Sequence, residues 1–154
     1  SFYFQVSTIF AGYFNMINSR TKGASAEREL FKIVGDMLGI KVERNLEQTR
    51  DGGADTIVGE WALEVKRQEI LHIDDWWEQT TRQATIAFKQ PMLIYRKSRQ
   101  PWRVRVLAED YLRHYGAVVD VDGCLEMSLE QGVALLGKLV LVREGSWQDV
   151  LGNV

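Results

Sequence analysis

Apolar residues recur every three or four positions between Ser25 and Leu38, where Leu30, Phe31, Ile33, Val34, Met37 and Leu38 form one stripe and Arg28, Glu29, Lys32 and Asp36 the opposite side. That period predicts an amphipathic helix. The pattern then shortens. A strand is expected near Ile40 to Leu46, and two further apolar runs, Thr56-Ile57-Val58 and Trp61-Ala62-Leu63, are separated only by Gly59-Glu60. The leading glycine suits the type II′ turn of a tight hairpin. Helical periodicity returns from Ile73 to Lys89, with Trp76, Trp77, Ala84, Ala87 and Phe88 as the packed face and Asp74, Glu78, Thr81 and Thr85 as the wet one. Strands follow at Pro91 to Tyr95 and Trp102 to Leu107, then a short helix at Glu109 to Tyr115 and an extended Ala117 to Val121. A turn at Asp122-Gly123 and a helix from Ser128 to Gly137 complete the pattern. The order α-β-β-β-α-β-β with an α/β tail, free of internal repeats and linker-like stretches, predicts an α/β fold with a central mixed sheet of about five strands flanked by helices.

Counting across the hairpin places chemistry on it. If Val58 faces Trp61, then Ile57 faces Ala62, Thr56 faces Leu63, and Asp55 lands opposite Glu64, with Lys66 on the same side. Trp61, Leu63 and Val65 point the other way as a continuous apolar row. Two carboxylates about 5 Å apart repel by roughly 3 kcal/mol at an effective dielectric near 20. Such a pair exists because one acid is protonated, because both are exposed and screened, or because a cation sits between them. Hard oxygen ligands in a chain with two histidines favour Mg²⁺, with Mn²⁺ able to substitute. The bland alternative is that Glu64 and Lys66 form the solvated side of an edge hairpin. Glu-X-Lys alone is a common pattern; the Asp51-Gly52-Gly53-Ala54 turn delivering Asp55 makes it far more specific.

Two other positions break their local pattern. Glu27 leans toward the apolar stripe of the first helix, whereas Glu29 points to solvent; Glu27 is then either a dipole-stabilised first-turn acid or a third carboxylate aimed at the cation. On the second long helix Gln79 and Gln83 share the border of the packed face, and Gln83, closer to the apolar stripe, is expected to reach over a site on the sheet.

Composition sets the outer bounds. The 154 residues, 45% hydrophobic, suit one compact domain, and the single cysteine, Cys124, excludes an internal disulfide framework and fits a reducing compartment. No stretch approaches the roughly 20 apolar residues of a membrane-spanning helix. The uncharged, aromatic-rich stretch from Ser1 to Asn15, with Phe2-Tyr3-Phe4-Gln5 resembling a tag-cleavage site, is expected to be an appended or disordered segment. Met16 is then the initiator, and residues 16–154 one domain. The formal net charge is −2, yet seven cations and no acid lie between Arg82 and Arg105: Arg82, Lys89, Arg96, Lys97, Arg99, Arg103 and Arg105. This is either a local basic field able to meet phosphates or a solvated surface. Arg20, Lys22, Arg44 and Arg50 are candidate phosphate contacts from the amino-terminal side. His72 and His114 are too scattered for a histidine-based metal site.

The segments Arg20-Thr21-Lys22-Gly23-Ala24-Ser25-Ala26-Glu27-Arg28-Glu29-Leu30, Gly53-Ala54-Asp55 and Leu63-Glu64-Val65-Lys66 resemble the archaeal-type Holliday-junction resolvases of the PD-(D/E)XK nuclease superfamily, which has phage-encoded relatives. The likeness runs from about Arg20 to Leu107 and more loosely through Val118 to Asp122. It implies a restriction-endonuclease-like core in which Asp55, Glu64 and the Val65 carbonyl bind Mg²⁺. Glu27 would hold a second ion or a water, Lys66 would be the catalytic lysine, and Gln83 would position a ligand. Arg20, Lys22 and Arg44 fall where the family places DNA-contacting cations. Ala54 replaces the usual proline, and the gap from Asp55 to Glu64 is shorter than in archaeal members, leaving Thr49 as a weak stand-in for the family serine.

The resemblance further implies metal-assisted phosphodiester hydrolysis on four-way junction DNA. A homodimer would make paired nicks in the cytoplasm, that of the host if the chain is phage-encoded. Trp76, Trp77 or Trp102 would supply a dimer patch if exposed, although core packing is the default for each. The alternatives are a PD-(D/E)XK nuclease acting on duplex or flap DNA in repair or restriction, and a non-catalytic DNA-binding module.

Overall fold

The computed structural model describes residues 23–44, 53–117 and 119–144. Helix α1 spans residues 23–38. Gly39 ends it with a φ of +68°, and the Ile40 amide reaches back to the Gly35 carbonyl at 3.1 Å. This is the Schellman closure that a glycine after the last turn permits. Then come β1 (Thr56–Val58), β2 (Trp61–Arg67), α2 (Ile73–Ile86), β3 (Gln90–Arg96), β4 (Arg103–Leu107), α3 (Ala108–His114), β5 (Cys124–Ser128) and α4 (Leu129–Glu144).

The strands form one mixed sheet in the order β1-β2-β3-β4-β5, parallel only between β2 and β3, where α2 makes the crossover. Its two faces differ. Trp61, Leu63 and Val65 of β2, Met92 and Ile94 of β3, Val104 and Val106 of β4 and Met127 of β5 pack against Leu30, Phe31 and Val34 of α1 and Val133, Leu135 and Leu136 of α4. The other face is thinner and holds α2: Ala84 packs on Ala54 and Ala62, and Trp76 on Leu93 and Tyr95. Alternation along each strand dictates this division, because every second residue of β2, β3 and β4 is apolar toward α1 and α4.

The mixed α/β architecture with five strands is the one the sequence predicts, but two strands are exchanged. Ile40 to Leu46 is not a strand over its described part: residues 41–44 join no ladder, and the Thr56 hydroxyl donates to the Glu43 carbonyl at 2.6 Å instead. Its last two positions lie outside the described residues. The fifth strand is Cys124–Ser128, within the predicted turn-to-helix region. The described positions of the valine-rich segment before it are unpaired, with Val119 and Val121 exposed. Burial decides between the two: Leu125 and Met127 pair with Val106 and Val104 and close the core.

The end of α2 is also corrected. The helix stops at Ile86, and Phe88 turns outward at a φ of +54° with 93% of its surface exposed. Trp76 and Trp102 are buried and Trp77 half-buried, so core packing prevails over a dimer patch at the first two; Met37 leaves the predicted stripe and is exposed. Among the described residues no helix is long and apolar enough to cross a membrane.

Candidate active site

The hairpin forms in the counted register, with Thr56 opposite Leu63, Ile57 opposite Ala62 and Val58 opposite Trp61. Gly59 has a φ of +59° while Glu60 is not in the left-handed region, which is the type II′ pattern. Asp55 lies one residue before β1, its amide bonded to the Leu63 carbonyl at 3.0 Å. Its Oδ2 accepts the Val65 amide at 2.8 Å, which fixes the carboxylate against β2. Glu64 follows on the α2 face, and the Lys66 ammonium sits 2.9 Å from Glu64 Oε1. Both acids are deeply buried, Asp55 5% and Glu64 4% exposed. The solvated-edge reading of Glu64 and Lys66 therefore does not hold.

Burial and mutual repulsion govern the electrostatics. Glu64 is pushed up to about 7, first by burial and then by the Asp55 charge, with Lys66 pulling against both. Asp55 is raised by burial, opposed by the Val65 amide, Lys66 and Arg44. Glu27, on the first turns of α1, is raised by burial and by Asp55 and lowered by Arg44 and Lys66. Asp55 acts on both Glu64 and Glu27, and Glu27 acts on Glu64, so α1 carries a third carboxylate within electrostatic reach of the hairpin pair. Arg44 Nε stands 3.1 Å from Glu27 Oε2. This expected phosphate contact is thus tied into the acidic group, its side chain 40% exposed.

Gln79, the neighbour that sequence reasoning passed over in favour of Gln83, is the amide that reaches the site: its Nε2 donates to Glu64 Oε1 at 3.4 Å. Gln83 lies one turn further along and is buried, with its amide oxygen unpartnered among the described residues. The two share a helix border in the sequence, and only the position of α2 along β2 separates them. Arg20, Lys22, Arg50 and Thr49 lie outside the described residues.

The acid-free basic run is partly neutralised by acids distant in sequence. Arg96 bonds both carboxylate oxygens of Glu29, at 3.1 and 2.8 Å, and lies over the Trp102 ring; Arg105 pairs with Glu126 and Lys89 with Glu60. Lys97, Arg99 and Arg103 remain exposed, with no ion pair within 4 Å among the described residues.

The donors fit a hard divalent cation. Glu64 Oε2 is buried and has no hydrogen-bond partner, and Glu27 Oε2 has only the Arg44 ion pair. Two neighbouring buried carboxylates, both raised by burial and one also by the other's charge, are stabilised by a cation between them. Among the described residues no three His, Cys, Asp or Glu side chains already converge into a closed cage. What the chain offers is the Asp55–Glu64 pair, with Glu27 drawn toward Arg44.

No curated protein and no solved structure matches this chain. A family model described as "Phage putative PDDEXK endonuclease" matches residues 18–119, a span that contains Glu27, Asp55, Glu64 and Lys66, and the chain belongs to that family.

Proposed function

We propose that this protein is a divalent-metal-dependent endodeoxyribonuclease that resolves four-way DNA junctions, acting as a homodimer that makes paired nicks. The observation that carries the nuclease reading is the buried Asp55–Glu64 pair with the Lys66 ammonium 2.9 Å from Glu64. Its junction preference rests on the resemblance of residues 20–30, 53–55 and 63–66 to archaeal-type resolvases. Shape and backbone charge, not base edges, distinguish a four-way junction from duplex.

Asp55, Glu64 and the Val65 carbonyl would hold Mg²⁺, with Glu27 holding a second ion or a bound water. When bound, the ion polarises the scissile phosphate and lowers the pKa of the attacking water. The chain's own residues prepare that step. The Val65 amide locks the Asp55 carboxylate, and Gln79 and Lys66 together fix Glu64 Oε1. Lys66, anchored beside Glu64, orients the water or offsets negative charge growing on the phosphate, a contribution that is large where the donor is already in place. Arg44 balances Glu27 so that three acids coexist at one end of the sheet.

The test is cleavage of a mobile four-way junction, a linear duplex and a flap, each with and without Mg²⁺. Paired symmetric nicks in the junction that require the metal are expected. Preference for duplex or flap would replace the resolvase assignment with a repair or restriction role. Binding without cleavage of any substrate would leave a DNA-binding module.

A further inference from the structure

Beyond the carboxyl ends of the parallel strands β2 and β3 lies a cavity of about 560 Å³. Crevices at this end of parallel strands are where open α/β sheets bind ligands. Leu71, Pro101, Trp102 and Leu129 give it apolar walls, and Tyr95, the cross-strand partner of Lys66, joins it to the candidate active site.

Charge and the apolar walls identify the chemistry of the occupant. Three cations, Arg96, Lys97 and Arg103, line the cavity against one acid, Glu130. Arg96 is engaged by Glu29, whereas Lys97 and Arg103 are exposed without an ion pair among the described residues. Trp102 is 7% exposed and carries the Arg96 guanidinium over its ring, 4.5 Å from the centroid. The cavity therefore combines apolar walls with two exposed cations, Lys97 and Arg103. A nucleotide has the complementary parts: a flat base for the walls and a phosphate for the cations.

We infer that this cavity is a subsite for one unpaired nucleotide of the DNA strand entering the active site. This deepens the nuclease reading on which it rests. A continuous duplex keeps its bases stacked and cannot fill the subsite, whereas a branch point or single-stranded end can. Burial of one base and its phosphate contact accounts for a selectivity of about tenfold or more.

The experiment is fluorescence anisotropy in EDTA, so that nothing is cut, with a labelled single-stranded oligothymidylate and a labelled blunt duplex as probes. The full chain is compared with Leu71→Trp, which fills the cavity from a partly exposed loop position, and with the double variant Lys97→Ala/Arg103→Ala. Each is expected to weaken single-strand binding about tenfold and duplex binding less than about threefold. The inference is overturned if the unaltered chain does not bind the single strand, if neither variant weakens it, or if both probes lose affinity equally. Single-strand binding lost selectively in a chain that cuts no DNA would uphold the subsite and defeat the nuclease reading.

Discussion

Glu64 keeps a carboxylate 4% exposed among Asp55, Lys66 and Gln79, and burial with the Asp55 charge lifts its pKa to about 7. A pKa raised above the unfolded value of about 4.5 favours the protonated folded form. The stability this gives is fully present below about pH 4.5 and is lost as pH rises through about 7. The metal-free protein is therefore expected to be less stable at pH 8 than at pH 5.5, by on the order of 2 kcal/mol, and to melt at a correspondingly lower temperature. Glu64→Gln should flatten that dependence; an unchanged pH profile in scanning fluorimetry for the variant would contradict the assignment. In the proposed mechanism Lys66 serves the reaction and not as a metal ligand. Lys66→Ala is expected to lower single-turnover cleavage by about 10²–10³-fold or more while metal and DNA affinity stay near normal, and normal cleavage by this variant would remove its role. At this scale the sequence was most legible for the hairpin, since period two and a two-residue turn fix which side chains share a face. It was least legible for the glutamines, because the helical wheel sets Gln83 closer to the apolar stripe, whereas the axial position of α2 along β2 brings Gln79 to Glu64.

Each element that delivers a site residue is held by a specific local device. The hairpin depends on Gly59, whose φ of +59° a β-branched residue resists. Gly59→Val is expected to loosen the register and reduce cleavage together with stability. A variant that unfolds at the normal temperature and cuts at the normal rate would show that the turn does not set the site. Helix α1 depends on a close approach, because a Cβ on Gly35 would stand 2.7 Å from the Ile40 carbonyl oxygen. Gly35→Ala should thus lower stability by about 1–3 kcal/mol through forced backbone movement, measurable by denaturant unfolding. The long helices and the strands before and after α2 were readable from period alone. The first and last strands of the expected set were not, since the described positions of Ile40 to Leu46 and of Ala117 to Val121 carry strand-like residues that pair with no other strand among the described residues. Cys124–Ser128 is a strand because Val104 and Val106 bury Met127 and Leu125, a fact of tertiary contact that β propensity does not contain.

At the scale of the whole molecule, the sheet separates two jobs. One face, with α1 and α4, is the main core, and the other, under α2, carries Asp55, Glu64, Lys66 and Tyr95 in one continuous band. The apparent basic field of the sequence is a whole-molecule property too: Glu29 and Glu126, far away in the chain, engage Arg96 and Arg105 and leave Lys97, Arg99 and Arg103 available. Paired nicking requires two such sheets, so sedimentation should show a dimer at the concentrations at which the junction is cut, and paired nicks made by a monomer would contradict that part of the reading. The central claim is that two buried acids on adjacent antiparallel segments bind a hard ion. Titration calorimetry of Mn²⁺ into the metal-free protein and into Asp55→Asn tests it most directly. Saturable binding weakened at least about tenfold by the substitution is predicted from the loss of one of two charged ligands, and equal affinity in the two proteins, or none in either, would contradict it.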